Sequence, residues 1–259
     1  MRRLIVEEPV SRAAIWSRQL AWFALAVTLV AVMFVRFEVV DYTSGFAALA
    51  AGLALAALAV LLSLAAFVRI WTEGRRGLGP ALGGLAVALV ILGWPGFYLA
   101  RGLMLPAIND VTTDIEEPPA FSRSRAALEA RGGRVPPEPP RETRLAQREA
   151  YPQIASLTLD VSADEAFNLV LKAAAQRRWQ VIESIRPGGR MGLGRVEAVD
   201  RTFLLRLPDD VTVRLRPIAD GTRIDVRSAS RFGRHDLGQN ARRIRAFLDT
   251  LSDLALGLK

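Results

Sequence analysis

Three long apolar runs near the start of the sequence most constrain what this chain can fold into. Leu20–Val35 is apolar apart from Thr28, and Phe46–Val68 is interrupted by Ser63 alone. Leu78–Leu99 carries Pro80 and Pro95 near its ends. A helix needs roughly 20 mostly apolar residues to cross about 30 Å of hydrocarbon. The second and third runs meet that length. The first meets it as Trp16–Phe37, with Arg18 and Arg36 at the interfaces. The expected organisation is a membrane anchor over residues 1–105 with transmembrane helices at about 18–37, 46–69 and 78–101. The alternative for the first run is a cleaved signal peptide. Its long basic lead and the lack of a clear small-x-small site before Arg36 argue against that.

Charge flanking the runs sets an orientation, because short cytoplasmic segments carry the excess of Lys and Arg. Arg2, Arg3, Arg12 and Arg18 precede the first run, and Arg69, Arg75 and Arg76 lie between the second and third against Glu73 alone. The N-terminus is expected in the cytoplasm and the C-terminal part across a bacterial inner membrane, in the periplasm. No run has an ionisable residue near its middle, the feature that ion pathways and proton relays require. A plain three-helix anchor is therefore expected rather than a transporter, with Gly52, Gly83, Gly84 and many alanines allowing close packing. Nine basic and five acidic residues lie in the stretch through Arg101, leaving 25 basic and 21 acidic beyond it. Positive charge is thus spread out, which speaks against a nucleic-acid partner. The absence of cysteine excludes disulfides, thiolate metal sites and a cysteine nucleophile.

Residues 106–150 read as an extracytoplasmic spacer, with prolines clustered at Pro118–Pro119 and again from Pro136 to Pro140. A folded domain is expected over residues 151–259. Strand signals fall at Ile154–Val161, Trp179–Ser184, Met191–Asp200, Thr202–Leu207, Val211–Pro217 and Thr222–Phe232. Ser162 with Glu165 reads as a capping box opening a helix to about Arg178. A second helix is expected from Asp236 to about Leu256, where Leu237, Ala241, Ile244, Leu248 and Leu251 recur at helical spacing. Gly188–Gly189, Pro208–Asp209–Asp210 and Asp220–Gly221 read as turns. The fold class is α+β, an antiparallel sheet covered on one face by two helices and preceded by three transmembrane helices.

One stretch is unusually dense in charge. It reads Asp225-Val226-Arg227-Ser228-x-Ser230-Arg231-x-Gly233-x-x-Asp236-x-Gly238-x-Asn240-Ala241-x-Arg243-Ile244. Together with Asn109-Asp110-Val111-Thr112-Thr113-Asp114, Asp209-Asp210-Val211 and Val213-Arg214, it resembles the bacterial and plastid family called domain of unknown function 1499. The resemblance spans roughly 109–258, and Ile115–Pro119 is looser than the family's form. It implies a domain and no established reaction.

Candidate chemistry is sparse. His235 is the sole histidine, and a Ser228 or Ser230, His235 and Asp236 triad is set against Asp236 serving as a helix cap. Asp209, Asp210 and Asp225 offer oxygen ligands for a hard cation, but a turn and cross-strand ion pairs explain them more simply; no metal or cofactor is expected. Arg206, Arg214, Arg216, Arg223, Arg227 and Arg231 recur at two-residue spacing on neighbouring strands, so they are expected on one sheet face, suited to phosphate or carboxylate. Two functions follow. The first is a non-catalytic domain binding an envelope component, either an anionic lipid headgroup or a partner protein. The second is a membrane-tethered hydrolase using Asp209, Asp210, Asp225 and His235. Arg227 itself is expected to be at least half buried against a carboxylate, Asp236 or Asp210.

Overall fold

The computed structural model describes residues 9–188 and 192–257. Arg2, Arg3, Gly189 and Met191, which figure in the expectations above, lie outside the described residues. The chain divides into two compact units, one of residues 1–100 with Leu204–Arg206, the other of Arg101–Phe203 with Leu207–Lys259.

The first unit is built from α1 (Arg12–Arg36), α2 (Tyr42–Glu73) and most of α3 (Leu78–Met104). All three are long and apolar enough to cross a membrane. Asp41 caps α2 by accepting from the Ser44 amide at 2.9 Å, and Gly74 closes that helix in the left-handed region. The helices meet through small residues, with Ala21, Ala24, Ala56, Ala59 and Ala88 buried together around Ile91. Without a hydrophobic driving force between apolar helices, close backbone approach is what holds such a bundle. At Gly52 a Cβ would stand 2.4 Å from the Thr28 hydroxyl, and at Gly84 one would stand 2.8 Å from the Arg18 amide. Both crossings therefore require glycine.

The second unit adds β1 (Asp110–Thr112), α4 (Arg125–Ala130), α5 (Arg141–Ala150), β2 (Leu157–Leu159) and α6 (Ala163–Gln176). After these come β3 (Gln180–Ile185), β4 (Gly194–Arg201), β5 (Pro208–Ile218), β6 (Gly221–Ser230) and α7 (Gln239–Leu256). The sheet is antiparallel in the order β1-β6-β5-β4-β3, with β2 also pairing β6, so that β1 and β2 share one edge of β6 end to end. Val196, Ala198, Val211, Val213, Leu215, Ile224 and Val226 form its apolar face, closed by α6 and α7. The rings of Trp179 and Phe247 stack there at 4.6 Å. Ser162 caps α6 through the Glu165 amide as the sequence predicts.

Three expectations are corrected. The spacer expected over 106–150 is part of the folded unit: β1 pairs with Arg227–Ala229, and Ile108, Val111, Phe121 and Ala127 are buried. Proline density there marks backbone positions that have no amide to donate, in a segment that lies on the sheet. The sheet is consequently covered on both faces, because 113–140 lies over the face opposite α6 and α7. Finally, Thr202–Leu207 is the turn between β4 and β5, while Pro208–Asp209–Asp210 is the buried start of β5. Pro208 occupies a strand end, where a missing amide is tolerated, and each aspartate meets an arginine.

Candidate functional site

Strand register fixes which side chains share the ionic face. Arg214 lies opposite Asp225 and Thr212 opposite Arg227, while Val213 lies opposite Val226 on the other side. Alternation then puts Asp210, Thr212, Arg214 and Arg216 of β5 with Arg223, Asp225, Arg227 and Arg231 around β6. Arg206 does not join them; it sits exposed in the β4–β5 turn at φ +54°.

The arginines on this face are matched by carboxylates brought in by the covering segment. Asp225 is fully buried and accepts from Ser156 Oγ at 2.6 Å, Arg223 Nε at 2.9 Å and Arg214 Nε at 3.0 Å. Oδ2 of Asp114 receives Arg214, Arg216 and Arg223 at 3.1, 2.7 and 3.0 Å. Burial alone would raise the Asp225 pKa, but Ser156 and the surrounding arginines outweigh it and hold the group below its ordinary value.

Two residues further along β6, Arg227 is 2% exposed and forks onto Asp110, Nε to Oδ1 at 3.0 Å and Nη2 to Oδ2 at 2.7 Å. It also donates to the carbonyls of Pro119 and Pro137. The burial of Arg227 follows the sequence expectation, but the partner differs. Asp236 sits at the start of the helical segment, and Asp210 pairs with Arg231 at 2.8 Å and Arg131 at 3.3 Å. The Phe121 ring lies 4.8 Å from the Arg227 guanidinium carbon and 5.0 Å from that of Arg131. Arg131 also pairs with Glu197, whose carboxylate accepts from the Ser122 amide and the Thr212 hydroxyl, both at 2.9 Å. Burial pushes the carboxyls of Asp110 and Glu197 up, and their arginines pull them only part of the way back.

A third centre lies on the helical side. Arg243 of α7 pairs with Asp209 and Asp200, and also donates to Ser228 Oγ and Asn240 Oδ1. Burial raises the Asp209 pKa too. Asn240 Nδ2 donates to the Asn109 carbonyl and Ser230 Oγ, and Asn109 Nδ2 donates to the Gly233 carbonyl at 2.6 Å. Gly233 and Gly238 take φ of +79° and +72°, which glycine adopts without strain. Asp236 accepts from the amides of Gly238 and Asn240, both at 2.8 Å, so it serves the helix start.

The geometry does not assemble the hydrolase constellation. Asp209 and Asp210 are adjacent in β5 and face opposite sides of the sheet, and Asp225 belongs to a separate centre. The His235 ring is held by backbone at both nitrogens: Nδ1 accepts from the Leu237 amide at 2.9 Å, so Nε2–H faces the carbonyls of Gly102 and Leu105 at 2.9 and 3.2 Å. Ser228 Oγ donates to Asn240 rather than to a base. Among the described residues no group of three or more potential ligands is placed to hold a metal ion.

Sequence reasoning missed Ser156, Phe121, Arg131, Glu197 and Gln147. The last acts as a surrogate strand, accepting from the Thr112 amide at 3.0 Å and donating to its carbonyl at 2.6 Å. Alternation in β4 put Glu197 on the same face as Thr212, a signal that was readable; nothing local marked Arg131 or Gln147.

Residues 110–251 match the family described as a protein of unknown function, DUF1499. The chain belongs to this family. No curated protein matches it. The DUF1499 stretch begins at β1 and ends within α7, so it takes in the segment crossing the ionic face as well as the sheet. The motif residues Asp110, Asp114, Asp209, Asp210, Arg214, Asp225, Arg227, Arg231 and Arg243 all lie in the three ionic centres. In this DUF1499 domain they fasten the N-terminal segment and the last helix to the sheet.

Proposed function

We propose that this protein is a non-catalytic, membrane-anchored binding module. Its three helices hold the α+β domain on the periplasmic side of a bacterial inner membrane, where the domain meets an anionic envelope component. One observation carries this reading: the groups a reaction would need have internal partners, while Arg123, Arg125 and Arg134 of the covering segment are exposed. Arg123 and Arg125 line a shallow concavity of about 530 Å³ with Leu128, Glu129 and Gly133. The anion-binding surface is therefore proposed around α4. The expected set Arg206, Arg214, Arg216, Arg227 and Arg231 is not its centre, because four of these arginines neutralise carboxylates within the domain.

The test uses the full chain released from membranes containing phosphatidylglycerol and phosphatidylcholine and analysed by native mass spectrometry. Phosphatidylglycerol should be retained preferentially, and changing Arg123, Arg125 and Arg134 together to Glu should abolish the preference. Equal retention of both lipids by the unaltered chain overturns the reading. So does hydrolysis of a chromogenic ester or phosphodiester that disappears with Asp209→Asn or His235→Ala. Orientation is tested separately: a reporter active only in the periplasm should be active when fused after Lys259, and activity of a cytoplasm-only reporter there contradicts it.

A further inference from the structure

The β4–β5 turn has the wrong chemistry for a loop in water. Hairpin turns are ordinarily built from Gly, Asn, Asp and Pro, as at the β5–β6 turn, where Asp220 leads into Gly221 at the start of β6. Here the tip reads Thr202-Phe203-Leu204-Leu205-Arg206. Phe203 is 90% exposed and Leu204 41% exposed, so the side chains at the apex are turned away from the sheet. Among the described residues of the outer unit, Phe203 exceeds every other large apolar residue in exposure. The turn is also fixed in shape. The Thr202 amide donates to the Leu207 carbonyl and the Leu207 amide to Thr202 Oγ1, both at 2.9 Å, and Arg206 is held at φ +54°. A non-glycine residue kept in that region marks a turn whose conformation the surroundings specify.

We propose that this turn is an interfacial membrane anchor, with Phe203, Leu204 and Leu205 entering the boundary between headgroups and acyl chains and Arg201 and Arg206 lying among the lipid phosphates. An aromatic apex flanked by arginines is the side-chain chemistry that settles at a bilayer interface. The occupant is specified by the chain itself, which carries three helices able to span a membrane. Only Leu105–Asn109 separate the last of these from β1, and five residues reach no further than about 18 Å when fully extended. The domain is thus tethered within reach of the bilayer surface, and an exposed apolar apex has an acyl boundary available to it. This anchor does not depend on the anion-binding surface proposed around α4.

The absence of cysteine makes the test clean, because Phe203→Cys introduces the sole thiol of the full chain. A nitroxide attached there, with the protein in nanodiscs of phosphatidylglycerol and phosphatidylcholine, is probed by collision with oxygen, which concentrates in the bilayer, and with a nickel chelate, which stays in water. Asp220→Cys at the β5–β6 turn supplies the reference, and Leu204→Cys a second position should Phe203→Cys fold poorly. The expected result is an oxygen-to-nickel collision ratio several-fold higher at 203 and 204 than at 220. A ratio equal to that at 220 places the tip in water, and low access to both reagents places it against protein. Either result overturns the proposal.

Discussion

One face of the sheet in the outer unit is closed by α6 and α7 over Val211, Val213, Leu215, Ile224 and Val226, and the other by an extended, proline-rich segment over arginines. The apolar face gains from burial that is indifferent to direction. The ionic face depends on geometry, since a buried charge is tolerated only when its partner and its remaining hydrogen bonds are in place. Arg227 meets that condition through Asp110 and two proline carbonyls. The difference teaches how a segment poor in regular structure can be fixed in place: prolines follow the surface while carboxylates at Asp110, Asp114 and Glu117 lock it in register.

The largest effect is expected where that condition is broken. Arg227→Ala leaves Asp110 buried and unpaired, and loss of one member of such a pair costs about 3–5 kcal/mol, a large share of the roughly 5–15 kcal/mol that holds a domain. Thermal unfolding of the full chain in detergent should show a sharp fall in the melting temperature of the outer unit. Combining Arg227→Met with Asp110→Leu should recover much of the loss, because replacing both partners leaves no orphaned charge. If the double variant is as unstable as Arg227→Ala, the face is not held by pairing in the way described.

On the apolar face Leu251, fully buried on the inner side of α7, sets the contrast. Leu251→Ala should cost about 2–5 kcal/mol through lost burial and the cavity left behind. Its cost should not change between pH 3 and pH 6, roughly the range over which buried carboxyls titrate. A cost that tracks pH would mean that Leu251 is coupled to a titrating carboxyl, either Asp209 beside Arg243 on its own face or one of the ionic face.

A smaller effect distinguishes the two centres of the ionic face. Asp225 has its pKa lowered in the folded state, so its stabilisation is complete above the ordinary value of 3.8 and is lost as pH falls through the lowered value. Asp110 has its pKa raised, so its contribution is greatest below 3.8 and fades as pH rises through the raised value. The melting-temperature gap between the unaltered chain and Asp225→Asn should therefore narrow on acidification below 3.8. The gap for Asp110→Asn should narrow in the opposite direction, as pH is raised. Parallel trends would overturn the assignment.

Much of this contrast was legible in the sequence. Alternation placed Arg214, Arg216, Arg223, Arg227 and Arg231 together and Val211, Val213 and Val226 apart from them, because the side-chain period of a strand is two. The three apolar runs and the helix opened by Ser162 were equally plain. What closed the ionic face was not legible, because Asp110, Asp114 and Glu117 lie about 100 residues away in sequence from the arginines they meet. No local pattern encodes such a pairing. Proline density around Pro137 pointed to a spacer, since it reports backbone stiffness and not what the backbone lies against. Pro208–Asp209–Asp210 misled for a related reason: its turn-like composition was overridden by long-range partners, Arg243 on one side and Arg231 on the other.

The smallest effect is expected at Arg216, on the same face and as richly bonded as Arg227. Its guanidinium reaches Asp114 at 2.7 Å, Glu117 at 2.8 Å and Asp225 at 3.0 Å. Yet its side chain retains 25% of its exposure, against 2% for Arg227, so water and salt screen these contacts. More decisively, Asp114 and Asp225 each keep Arg214 and Arg223 when Arg216 is removed. Neither carboxylate is orphaned, and Glu117, mostly exposed, is resolvated. Arg216→Ala should accordingly cost no more than about 1 kcal/mol, the range of exposed pairs, and shift the melting temperature only slightly. A loss as large as that of Arg227→Ala would show that the guanidiniums around Asp114 and Asp225 act as an indivisible set, so that counting spare partners does not rank the arginines of this face.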